Sequence, residues 1–467
     1  MRTLLGAALT GAALTAALAS TLAAQVKLPQ YTHQVLPNGV AVDLMPKAGV
    51  PLVGIRVLIK GGVEAEPPGL AGLSSVTAQL LRKGTAKRTA DQFSEEIDAL
   101  GGSFGAGFGD AYSSATTISA EFLTKDFDHG LDLVSDAVLH PVFPDSEVRK
   151  LLAQRVDGVK SSKDNPQQAI GSYYQAFFFG PDHPYGHPID EASLGRMRRE
   201  DVVEFHKRVY SGRNMVVIVT GEFDPAAVLP KIAKIFGEAR AGTAIEWRPA
   251  APVTPKTRLL LIDKPDATQT YFYIGQPGVD RLAPDRTKLL ILNTLFGGRF
   301  TSMLNQELRT NTGLTYGAGS SVQQLRLPGS ILITTYTKTD TTARAMDLAL
   351  EIIKTLGDKG ITADQLASAK AYIKGTFPPQ RLETSDQLAG LLADMELYGL
   401  GRDEVDGFFS RIDAVSLQQA NEAARKYFKS TGLTFVVLGN AAKIRDAVKK
   451  YSDQVVEVSV TAPGFRN

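Results

Sequence analysis

The chain repeats itself, and that constrains its fold more than any other feature. Met215-Val216-Val217-Ile218-Val219-Thr220-Gly221 reads as a strand, and the stretch from Pro225 to Phe236 reads as a helix behind it. The same pair returns as Thr434-Phe435-Val436-Val437-Leu438-Gly439 followed by a helical stretch from Ala441 to Tyr451. Val217 and Val436 are 219 residues apart, and two units of that length fill the 467-residue chain once a leader is set aside. A chain this long exceeds one compact core in any case. Between the copies Pro249, Pro252 and Pro255 interrupt any regular element. We therefore expect domains at 30–245 and 258–455, joined by a Pro-rich linker at 246–257.

Within the first copy, Gln34 to Leu44 is expected to form strand, Asn-Gly turn and strand, and Val53 to Ile59 a further strand. Leu70, Leu73, Val76 (or Thr77), Leu80 and Leu81 follow a helical period. A second helix spans Ala90 to Leu100 and stops at Gly101-Gly102, ahead of a β-rich stretch from Ser113 to Phe122. Two more amphipathic helices are expected from about Asp126 to Leu139 and from Asp145 to Lys160. Strands and helices alternate without the short spacing of parallel βαβ units. The expectation is an α+β fold, with helices packed on antiparallel-rich sheets.

The N-terminus differs from the rest. Met1-Arg2 opens an uncharged run, rich in alanine and leucine, from Leu4 to about Ala19. This is the pattern of a secretory signal over residues 1–24, cleaved after Ala19 or Ala23, and too short and alanine-rich for a membrane anchor. It predicts a periplasmic or otherwise exported protein. The absence of cysteine excludes disulfides, a lipid-modified cysteine, a thiol nucleophile and any cysteine-based metal site. Lys+Arg 51 against Asp+Glu 49 leaves +2, which gives no footprint for nucleic acid.

Several short motifs fall in a recognisable order: Leu36-Pro37-Asn38-Gly39, Gly69-Leu70-Ala71, Lys83-Gly84-Thr85, Ala99-Leu100-Gly101-Gly102, His183-Pro184-Tyr185-Gly186, Val219-Thr220-Gly221, and Phe296-Gly297-Gly298-Arg299-Phe300-Thr301-Ser302 through Leu308-Arg309 to Gly313-Leu314-Thr315-Tyr316. Together they resemble the insulinase/pitrilysin metallopeptidases across nearly all of residues 30–450. The resemblance implies two homologous roll-like α/β-sandwich domains in tandem, facing a peptide chamber. In that family the helix before Lys-Gly-Thr carries H-x-x-E-H, two zinc-binding histidines and a glutamate base. Counted back from Lys83, the motif falls on Ser75-Val76-Thr77-Ala78-Gln79. Ser75 and Gln79 keep the i, i+4 spacing of two ligands but offer a hydroxyl and an amide, and Ala78 offers no base. The family's third ligand aligns with Gly158, or with Asp157 after a one-residue slip. No zinc is expected in this chain.

What the resemblance retains is the other half of the machinery. Arg309 and Tyr316 match the family's arginine and tyrosine, which bind the substrate carbonyl and stabilise the tetrahedral intermediate. Gly313 is expected to end the helix carrying Arg309, with Tyr316 opening the next strand. Some family members are heterodimers of a zinc-bearing and a zinc-less chain. This sequence reads as the zinc-less subunit, with zinc in a homologous partner and peptides as substrates. The alternative is a stand-alone degenerate homologue that binds peptides or acts as a scaffold. Gly105-Ala106-Gly107 offers bare backbone for strand addition by bound peptide, or is only a flexible turn. His183 and His187 are spaced i, i+4, but Pro184, Gly186 and Pro188 exclude a helix between them. The remaining histidines (His33, His129, His140, His206) read as surface or capping residues. Gly101-Gly102-Ser103-Phe104-Gly105 has the letters of a nucleophile elbow in the wrong context, helix before strand.

Overall fold

The computed structural model describes residues 26–107, 113–247 and 249–465; the expected leader at 1–24 lies outside the described residues. β1 (Thr32–Val35), β2 (Ala41–Pro46), β3 (Leu52–Lys60), β4 (Ser103–Gly107), β5 (Ala115–Leu123) and β6 (Met215–Gly221) form one six-stranded sheet in the order β1-β2-β6-β3-β5-β4. β7 (Arg258–Asp263), β8 (Gln269–Pro277), β9 (Ala318–Gln324), β10 (Pro328–Lys338), β11 (Thr434–Gly439) and β12 (Val455–Ser459) form a second, ordered β12-β7-β11-β8-β10-β9. The repeat is visible in the register. Val217 pairs with Val42 on one side and Val57 on the other, and Val436 pairs with Leu260 and Tyr273. In each sheet the central strand runs parallel to one neighbour and antiparallel to the other. The copies differ at one edge, where β1 joins β2 as an antiparallel hairpin but β12 lies parallel to β7. The hairpin turns at Asn38-Gly39, where Gly39 takes a φ of +92° that disfavours a side chain.

Helices cover the first sheet because its strands alternate faces. Val217 and Val219 of β6, with Val42, Leu44, Ile55 and Val57, enter a core closed by α1 (Leu73–Leu80), α2 (Ala90–Ala99) and α3 (Phe127–Leu139) through residues such as Val76, Leu80, Phe93 and Val134. Thr89 starts α2 with a reciprocal cap, its hydroxyl accepting from the Gln92 amide while Gln92 accepts from the Thr89 amide. α4 (Asp145–Ser162) packs on α1, and α5 (Pro166–Phe179) follows after Asn165 caps its start.

The opposite face of each sheet is covered by a helix from the other half of the chain. Ala41, Met45, Leu58, Val216 and Ile218 pack under the helix Ser385–Tyr398 through Leu388, Leu391, Leu392 and Met395. In return α5 lays Ile170, Tyr173, Tyr174 and Phe178 on Leu260, Ile262, Leu332, Val436 and Leu438 of the second sheet. Both ends of the helix 385–398 lie 219 residues after those of α5, so the two covers are themselves copies. Each large apolar side chain buried this way contributes about 1.5–3 kcal/mol, and the exchange ties the halves together.

Candidate functional site

α1 is built as a ligand-bearing helix would be. Leu73, Val76 and Leu80 anchor it in the core. Its open N-terminal amides are met by the Glu66 carboxylate, which accepts from Gly72 N at 2.9 Å, from Ser74 N at 3.0 Å and from the Ser74 hydroxyl. Burial nevertheless pushes the Glu66 carboxyl up to about 7 against those hydrogen bonds. Ser75 and Ala78 are buried and Gln79 is half-buried. On the neighbouring α4, Asp157 is exposed and Gly158 faces open space. The residues do not fit the zinc that the resemblance would imply: a hydroxyl, a methyl and an amide stand where two imidazoles and a carboxylate are needed. Among the described residues, the only trio of histidine and carboxylates close enough to share an ion is on the other face of the sheet.

Against α1 lies β4, the outermost strand of its sheet. Gly105, Ala106 and Gly107 pair with Ser119, Ile118 and Thr117 of β5 on one side. Among the described residues, no backbone bond is made on the other. Phe104 and Ala106 turn into the core, and a Cβ added at Gly105 or Gly107 would meet nothing within 4 Å. Among the described residues this edge carries no partner strand, the position at which a further strand can add.

Arg309 and Tyr316 sit on the second half, in a segment of unusual backbone. Two π-helical turns, Thr294–Gly298 and Gln306–Asn311, frame it, and Arg309 projects from the second. Gly313, at a φ of +63°, donates to Arg309 O at 3.1 Å and ends the turn as expected. Tyr316 does not open a strand, however. β9 begins at Ala318, because β10 captures the preceding loop: Thr337 donates to Leu314 O at 2.7 Å and Thr335 to Gly317 O at 2.9 Å. The loop is pinned from beneath while Tyr316 stands 73% exposed at its crest.

The site brings Arg309 and Tyr316 together. The Arg309 guanidinium carbon lies 4.5 Å from the Tyr316 ring centroid and 4.8 Å from that of Phe300, itself 67% exposed. Cation–π contact of this kind holds the guanidinium against the rings without using its N–H edge. Among the described residues no hydrogen bond or ion pair engages that edge. Phe300 was legible only as part of the motif from Phe296 to Ser302, not as a residue of the site. An aromatic directly after a Gly-Gly-Arg run was the available signal.

Two family profiles match the chain: one described as "Insulinase (Peptidase family M16)" over residues 44–178, the other as "Peptidase M16 inactive domain" over 196–373. A protein named as an uncharacterized zinc protease of Mycobacterium leprae is 28% identical over 400 residues, 84% of this chain and 88% of that one. One from Bacillus subtilis is 25% identical over 86% and 96%. Among solved structures, a peptidase M16 inactive domain from Pseudomonas fluorescens superposes with a TM-score of 0.81 at 22% identity, covering 88% of this chain and 98% of its own. The first half of the periplasmic protease PqqL from Escherichia coli gives 0.69 at 17%, covering 92% and 98%. At those identities the structures speak for the fold.

Proposed function

The chain belongs to the insulinase family, peptidase family M16, and from that premise we propose that it is the zinc-less subunit of an exported two-chain metallopeptidase. The observation that carries the reading is a division of labour within one molecule. The helix where the family holds zinc has no imidazole or carboxylate in the motif's places, while Arg309 and Tyr316 lie against each other with, among the described residues, no hydrogen bond or ion pair on the guanidinium. A homologous partner would bring H-x-x-E-H and zinc. This chain would bring the arginine and the phenol, aimed at the oxygen that gains charge as a peptide carbonyl becomes tetrahedral. Such donors contribute about 3 kcal/mol each to the transition state. Substrate would be a peptide in extended form, held as an added strand on an edge such as Gly105-Ala106-Gly107. Export is supported by the leader pattern and by the periplasmic relative among the fold neighbours; among the described residues no helix is long and apolar enough to cross a membrane.

The test is reconstitution. The tagged chain is used to capture partners from its host, and the complex is assayed for chelator-sensitive cleavage of mixed peptides. Arg309→Ala and Tyr316→Phe are expected to keep the partner and lower kcat by about 10²–10³-fold. Loss of partner together with activity would reduce the pair to an interface role. If no zinc-bearing partner and no activity appear, peptide binding without hydrolysis replaces this reading.

A further inference from the structure

On the face of the first sheet covered by the helix 385–398, one polar cluster interrupts an apolar layer. Asp43 sits on β2 between Ala41 and Met45, both in that layer, and its side chain is 1% exposed. His33 is its direct cross-strand neighbour on β1, with Nδ1 2.8 Å from Asp43 Oδ1. From the opposing helix, Glu396 brings Oε1 to 3.5 Å from the same nitrogen. One donor atom from each of the three lies within 4.8 Å of the others. Asp43 Oδ2 has no hydrogen-bond partner, although the residue is wholly buried. Lys60 reaches Glu396 rather than Asp43, at 3.7 Å.

This arrangement is costly as it stands. Two carboxylates face each other in a poorly hydrated seam, and one buried oxygen goes unsatisfied. An imidazole and two carboxylate oxygens are also a donor set that suits a divalent transition metal. The exposed side of His33, 45% open, leaves solvent access for a fourth ligand. We propose that His33, Asp43 and Glu396 form a binding site for a divalent ion of the zinc class, bridging the first sheet to the helix supplied by the second half of the chain. The site is remote from α1, on the opposite face of the sheet, so its role is to clasp the halves rather than to cleave peptides. His33, read from sequence as a surface or capping residue, becomes a ligand because the fold brings Glu396 to it from 363 positions away.

The full chain without its leader, stripped with chelator and titrated with Zn²⁺ alone, tests this independently of any peptidase activity. Equilibrium dialysis is expected to find one equivalent per chain, and saturating zinc to raise the melting temperature by about 5 °C. Asp43→Asn risks the fold. Glu396→Gln and His33→Gln, at the solvent-reachable side, are therefore the informative variants, each weakening zinc by at least about tenfold. The zinc absorption edge should report nitrogen and oxygen ligands only. No bound zinc in the parent chain, or an undiminished equivalent in the double variant, overturns the site.

Discussion

Arg309 lies beside two exposed aromatic rings, Phe300 and Tyr316, and among the described residues it pairs with no carboxylate. That choice has a chemical consequence. An ion pair would occupy the guanidinium's N–H edge, whereas the Phe300 and Tyr316 rings, with centroids 4.8 and 4.5 Å from its carbon, lie against it without using that edge. Elsewhere a buried ring nitrogen contributes to acid sensitivity. His183 is buried, and its Nδ1 accepts the Tyr185 amide at 3.1 Å, so it must be unprotonated there. Burial, with His187 nearby, holds its imidazole down to about 4. A base whose folded pKa lies below its unfolded value gives stability that is complete above about pH 6.5 and lost as pH falls towards 4. The loss is on the order of 3 kcal/mol at most. His183→Asn, which keeps an acceptor and cannot titrate, should flatten that part of the profile in denaturant melts run from pH 7 to 4. An unchanged acid slope would remove His183 as its source.

At the scale of elements, β4 is exposed by design and the two exchanged helices are buried by design. Gly105→Val adds a side chain into open space on an edge strand, so stability should move by less than about 1 kcal/mol. Peptide binding, read by fluorescence anisotropy with an unlabelled competitor, should weaken, since the added bulk blocks close approach. Intact binding would take the peptide off this edge. Leu392→Ala should cost about 2–5 kcal/mol, and hydrogen exchange should show where: faster amides in β3 and β6, not in β8 and β11, although Leu392 belongs to the second half of the sequence. The strands β3, β6 and β11 and the helices α1 to α4 were legible because alternation and helical period are local. The partner of an amphipathic face is not local, and nothing in residues 385–398 announces that Leu388 and Leu392 face the first sheet. The π turns were invisible for a similar reason, since one wider turn barely changes the period. The lost ligands of α1 could be read letter by letter. The pairing of Arg309 with Tyr316 could be read only as a spacing, and the part played by Phe300 required the loop geometry.

For the whole molecule, reciprocal cover means that neither half is a complete folding unit. A fragment ending near residue 247 contains every strand of the first sheet but not its second cover. Expressed alone it should fail to give a cooperative melt, and co-expression with residues 258–465 should restore one. Two independent transitions from the separate fragments would contradict this. The exchange also sets a clock on synthesis. All six strands of the first sheet have left the ribosome once Gly221 emerges, yet their outer face stays wet until Tyr398 follows, 177 residues later. At ordinary elongation rates that delay is roughly 10 to 35 seconds. A nascent chain held open for so long stays threadable, which would suit the export proposed above, since a chain bound for a narrow translocation pore must pass it before closing on itself.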